Sequence, residues 1–111
     1  MPLQKYFQNQ ELTEAGRRVV TLSMKKFRRY RRYNLHIEVH SDLDGREEEN
    51  LKKTEARAWS VFEFLSNSGM DVKTMDYRGY GETEPVSPPI DAYARYKNER
   101  IQFYLTLRQP W

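Results

Sequence analysis

The chain has no cysteine among its 111 residues, so neither a disulfide framework nor a thiolate site is open to it. It contains no apolar run approaching the ~18 residues of a membrane-spanning helix. A charged start followed by an apolar leader is also missing, and Met1-Pro2 runs straight into sequence of folded character. These absences leave a cytosolic protein or a domain excised from a longer exported one. Glycine and proline number five each. They form no low-complexity tract or linker that would split the chain, so residues 1–111 are expected to make a single domain. Catalytic signatures are lacking too. There is no Gly-x-Ser-x-Gly elbow, and neither histidine has a nucleophile motif beside it. The carboxylates gather in a charged loop, not in an apolar pocket that would raise a pKa. Neither enzymatic chemistry nor a cofactor is expected.

What is present is a polar surface around a modest core. Apolar residues make up 38% and charged residues 32% of the chain, enough for one compact interior. The net charge is +3, and it is local. Residues 25–32 (KKFRRYRR) hold six cations, and the rest of the chain has 13 basic against 16 acidic residues. The run fits a solvated helix end, where cations meet the negative end of the helix dipole. An electrostatic binder of nucleic acid or anionic lipid is the alternative, with Tyr30 and Tyr33 available for stacking. No nucleic-acid partner is expected, and membrane contact would come only through a segment of a longer parent.

Periodicity places the elements. Leu3–Phe7 reads as a short edge strand. Thr13 can cap a helix spanning residues 11–31, with Val20, Met24, Phe27 and Tyr30 on one stripe. Leu35, Ile37 and Val39 alternate with His36, Glu38 and His40, as in a strand with one apolar face. A polar loop from Ser41 to Asn50 follows. Thr54 offers an N-cap for a second helix, whose stripe is Ala58, Val61, Phe62 and Leu65. Gly69 suits its C-terminal cap. Val72–Arg78 reads as a strand ended by Gly79 and Gly81, residues 90–97 as one or two helical turns, and Ile101–Leu107 as the last strand. The order β-α-β-α-β-(α)-β implies a two-layer α+β sandwich: a mixed sheet with helices on one face and the other face wet. Connections of helix length imply parallel pairs.

One pairing carries chemistry. Asp42 lies in the loop after a strand, and Arg57 in the first turn expected of the next helix. A carboxylate and a guanidinium on one rim can hold the ammonium and the carboxylate of a zwitterion. The same residue types also fit an ordinary loop–helix ion pair. Metal sites are weaker readings. His36 and His40 would stand about 13 Å apart at ~3.3 Å per residue, too far to share an ion. The acids around Gly45 do not align with a calcium loop.

Four segments follow in order: Val39-His40-Ser41-Asp42-Leu43-Asp44-Gly45; Asn50 with Lys53-Thr54-Glu55-Ala56-Arg57-Ala58; Gly79-Tyr80-Gly81-Glu82-Thr83-Glu84-Pro85; and Asn98-Glu99-Arg100-Ile101. Together they resemble the OmpA-like C-terminal domain family of peptidoglycan-binding modules. The resemblance implies a non-catalytic module of the bacterial periplasm and cell envelope, tethering a parent protein to the wall. Its guest would be the diaminopimelate residue of the peptidoglycan stem peptide. By position, Asp42 would take the amino group and Arg57 the carboxylate. Ser41, Asn50, Asn98 and Arg100 would add contacts, and His40 and Gly45 would support the loop. Two departures stand out: Lys53 replaces a leucine, and Glu99 replaces an arginine with an anion. A degenerate member serving as a structural or protein-interaction module is the alternative they suggest.

Overall fold

The computed structural model describes residues 5–27, 32–41, 46–81 and 99–108. The chain opens with a hairpin of β1 (Phe7–Gln8) and β2 (Glu11–Leu12), followed by α1 (Glu14–Phe27) and β3 (Tyr33–His40). Then come α2 (Glu47–Asn67), a 3-10 turn (Val72–Thr74), β4 (Met75–Gly81) and β5 (Arg100–Leu107). The larger sheet has the order β4-β3-β5, with β3–β4 parallel and β3–β5 antiparallel. The expected α+β architecture with a mixed sheet is therefore present. Helix-length connections throughout would have made every pair parallel. Only the β3–α2–β4 crossover does so, because β5 returns along the far edge of β3 in the opposite sense.

The middle strand β3 pairs along both edges, with β4 and β5, and its apolar face is buried. Leu35, Ile37 and Val39 are all buried, the last two completely. They share a core with Val20 and Met24 of α1, with Ala58, Val61 and Leu65 of α2, and with Phe7, Leu12 and Met75. Both helices thus contribute to one face, as the apolar stripes required. On the opposite face His36 stands between Asp76 (2.8 Å) and the Thr106 hydroxyl (2.7 Å). This pairing ties the three strands together. It lies in an open groove of about 640 Å³ that contains none of the expected binding residues. Among the described residues no cluster suited to a metal ion occurs, and no helix is long and apolar enough to cross a membrane.

Several local expectations change. Of the first apolar stretch, Leu3 and Gln4 lie outside the described residues, and Phe7 with Gln8 pairs with Glu11 and Leu12, apart from the large sheet. The two-residue connection has positive φ at both Asn9 (51°) and Gln10 (67°), as in a type I′ turn. The first helix therefore starts at Glu14 and not at the expected residue 11. Thr13 caps it, its hydroxyl accepting from the Gly16 amide at 3.1 Å. Gly16 has no room for a side chain, because an added Cβ would lie 2.3 Å from the Tyr6 carbonyl oxygen. The stripe residue Phe27 closes α1, and residues 28–31 of the basic run, Tyr30 among them, lie outside the described residues.

The second helix begins at Glu47, not at Thr54. Three glutamates occupy its first turn, where the positive end of the dipole favours them. Thr54 is instead a fully buried interior residue. Its hydroxyl donates to the Leu51 carbonyl (3.0 Å) and accepts from the Gly81 amide of β4 (2.9 Å). The C-terminus of α2 follows expectation. Gly69 has φ of 101°, its amide donates to Ser66, and the Met70 amide donates to Leu65. These are the two hydrogen bonds of a Schellman motif. Gly79 does not end the strand before it but lies within β4, whose last residue is Gly81. An added Cβ on Gly79 would come within 2.1 Å of the Glu55 nitrogen and 2.4 Å of the Thr54 carbonyl carbon. The glycines are what let α2 lie directly on the sheet.

Candidate functional site

The C-terminal end of β3, the start of β5 and the middle of α2 meet at one end of the sheet. In register, His40 faces Gly81 on one side and Arg100 on the other. Because α2 starts earlier than expected, Arg57 is not in its first turn but at the middle of its 21 residues. There it points inward and is 4% exposed.

An arginine this buried needs partners. Its Nε donates to the Gln10 side-chain oxygen at 2.8 Å, and its guanidinium lies 5.2 Å from the centre of the Phe7 ring. The β1–β2 hairpin therefore fixes the side chain from below through a hydrogen bond and a cation–π contact. From the other side, Glu99 Oε1 approaches Arg57 Nη1 at 3.8 Å and Lys53 Nζ at 4.0 Å. Both distances are beyond hydrogen-bond range. Arg57 Nη1 is buried and has no hydrogen-bond partner among the described residues. Burial pulls the guanidinium below its ordinary pKa, and the Glu99 carboxylate partly opposes that shift. An arginine starts so high that it keeps its charge at neutral pH.

Ser41 closes the end of β3. It is 4% exposed, and its amide donates to the Gly81 carbonyl at 2.8 Å. Its hydroxyl is buried and has no hydrogen-bond partner among the described residues. Thus Thr54 holds the Gly81 amide while the Gly81 carbonyl holds Ser41, and a continuous chain of bonds runs from α2 to the strand end. Asn50 is buried in the first turn of α2. His40 is 1% exposed, and its ring stacks on Tyr80 at 4.8 Å with 5° between the planes. Tyr80 can reach it because the β3–β4 register shifts there: Val39 pairs with Gly79 and His40 with Gly81. The Arg78 guanidinium lies 4.8 Å from the centre of the same ring.

The structure therefore gathers Arg57, Ser41, Asn50, His40 and Arg100 around one end of the sheet. Asp42, Gly45 and Asn98 lie outside the described residues. Sequence reasoning missed Gln10 and Phe7, whose roles depend on a hairpin that carries no glycine in its turn. It singled out Glu99 but not the reason for its weight: its side chain is 13% exposed and sits against Arg57.

Comparison with known proteins agrees with this fold. The chain is 30% identical over 90 residues to the outer-membrane lipoprotein YfiB of Pseudomonas aeruginosa, an alignment covering 81% of this chain and 49% of that protein. The chain spans half or less of the length of the curated relatives it matches. In fold it is similar to a MotB-like protein from Desulfovibrio vulgaris, with a TM-score of 0.83 and 24% identity over 97% of this chain and 73% of the other. It is also similar to the peptidoglycan-associated lipoprotein of Burkholderia pseudomallei, with a TM-score of 0.76 and 20% identity over 91% of this chain and 87% of the other. The family model for OmpA matches residues 6–99. That span takes in the hairpin that anchors Arg57, the whole of α2 and the ends of β3 and β4, and it stops just before β5; the chain belongs to the OmpA family.

Proposed function

We propose that this domain binds peptidoglycan without catalysis and tethers a longer cell-envelope protein to the wall from the periplasmic side. The guest is the free end of the diaminopimelate side chain in the stem peptide. Arg57 receives its carboxylate and Asp42 its ammonium. Ser41, Asn50, Asn98 and Arg100 shape the rim, and His40 and Gly45 support the loop that carries Asp42.

One observation carries this reading. Arg57 is buried and clamped from one side by Gln10 and Phe7, yet Nη1 is left without a hydrogen bond among the described residues. A purely structural arginine at this depth is expected to use its donors, since an unsatisfied buried donor costs ~1–3 kcal/mol. The neighbouring Ser41 hydroxyl is in the same condition. Two buried polar atoms without a hydrogen bond among the described residues suit a polar guest. The relatives named above include a peptidoglycan-associated lipoprotein, which supports the choice of guest.

The test is sedimentation with purified peptidoglycan together with titration by meso-diaminopimelate. Wild type should bind, and Asp42→Ala and Arg57→Ala should each reduce binding by at least ~tenfold, the loss of one charge-assisted contact. Equal binding by all three proteins would refute the mechanism. Glu99 beside Arg57 favours a second reading, a structural module that has lost the wall. That reading predicts a folded domain on which neither peptidoglycan nor diaminopimelate registers.

A further inference from the structure

Glu99 changes what chemistry suits the Arg57 subsite. It precedes β5 at the bend where the chain re-enters the sheet, and only 13% of its side chain is exposed. Two cations of α2, Lys53 and Arg57, stand four residues apart on one helix face. Glu99 lies between them, 4.0 Å from one and 3.8 Å from the other. A guest carboxylate drawn to Arg57 would therefore arrive beside a carboxylate that is already there. The opposition between the two anions is strong at such range and little screened in a site this buried.

A carboxamide meets the same pair without conflict. Its carbonyl oxygen accepts from the Arg57 guanidinium, and its NH₂ group donates to the Glu99 carboxylate. Neither contact brings a second negative charge. Building on the diaminopimelate reading above, we infer that Glu99 tunes this site to a guest whose carboxyl group is amidated: an α-amino carboxamide in place of an α-amino acid. Glu99 is then the specificity residue. It discriminates by repelling the anion as well as by bonding the amide, which is how a polar site separates close analogues.

The experiment compares meso-diaminopimelate with its monoamide by NMR titration of the folded domain, using wild type and Glu99→Gln. The side chains are nearly isosteric, and the amide spectrum reports whether the variant is folded. Wild type should bind the monoamide at least ~tenfold more tightly than the diacid, and Glu99→Gln should erase or reverse that order. A wild type that prefers the diacid, or shows no preference, overturns the inference and leaves diaminopimelate binding in place. A preference unchanged in Glu99→Gln removes Glu99 from its role. Shifts with neither compound, while the spectrum remains that of a folded domain, would overturn both this inference and the diaminopimelate reading beneath it.

Discussion

Replacing Thr54 by valine removes one hydroxyl and almost no volume, so it isolates what that oxygen does. Thr54 is fully buried. Its hydroxyl is the acceptor for the Gly81 amide at 2.9 Å and a donor to the Leu51 carbonyl at 3.0 Å. Leu51 lies inside α2 and keeps its helical partner, so losing that donor costs little. The Gly81 amide is different. It is buried and donates to the Thr54 oxygen, and leaving it without an acceptor costs ~1–3 kcal/mol. The added methyl recovers up to ~0.8 kcal/mol of burial. The net loss expected is therefore ~1–2 kcal/mol, equivalent to a drop of roughly 4–8 °C in Tm for a domain of this size. Urea unfolding should show a lower midpoint at constant slope, and the Gly81 amide should exchange with solvent faster. Thr54→Ser gives up a methyl but keeps the oxygen, so its Gly81 amide should stay protected. The effect should also reach the site, because the Gly81 carbonyl holds the Ser41 amide at 2.8 Å. Thr54→Val should then weaken peptidoglycan binding more than Thr54→Ser does. A valine variant as stable as wild type, with Gly81 still protected, would refute the reasoning.

Other perturbations test the same framework. Gly79→Ala places a Cβ about 2 Å from backbone atoms of Thr54 and Glu55, which cannot rotate away. The helix must lift from the sheet at a cost of ~3 kcal/mol or more, read as a large fall in urea midpoint or loss of soluble protein. Gly69→Ala meets nothing within 4 Å but must hold φ of 101°. It should cost only ~1 kcal/mol, and Gly69→Asn less; a larger loss from alanine would mean that the cap does more than accommodate the backbone. Ile37→Val, at a position with no exposure, should cost ~0.5–1.5 kcal/mol in the same assay.

The apolar faces were legible from the chain alone. Leu35, Ile37 and Val39 alternate, and Ala58, Val61 and Leu65 recur at helical spacing, because burial forces those periods on any sequence. The start of α2 was misread because threonine is a good cap and also a useful buried acceptor, and type alone does not separate the two uses. The run Glu47-Glu48-Glu49 was the better signal, since it matches the dipole at the true N-terminus. Glycine is ambiguous in the same way: Gly79 reads as a turn when its function is to let a helix backbone approach. At the site, Arg57 and Ser41 were reached through local motifs. The grip on Arg57 from Gln10 and Phe7 spans about half the chain, and nothing local encodes it. The weight of Glu99 likewise comes from a neighbour that only the fold supplies.

The hairpin turn has a consequence for how this protein can be altered. Gln10 holds a left-handed backbone at φ of 67° while its side chain accepts from Arg57. Glycine would relax that backbone by ~1 kcal/mol, and Asn-Gly is the favoured pair for such a turn. A library screened for heat resistance alone would therefore be drawn to Gln10→Gly and would discard the side chain that orients the arginine. At this position stability and recognition pull in opposite directions. If the proposed wall binding is what the arginine serves, retention of a costly glutamine here marks selection for the guest, and drift to glycine in a descendant marks its loss.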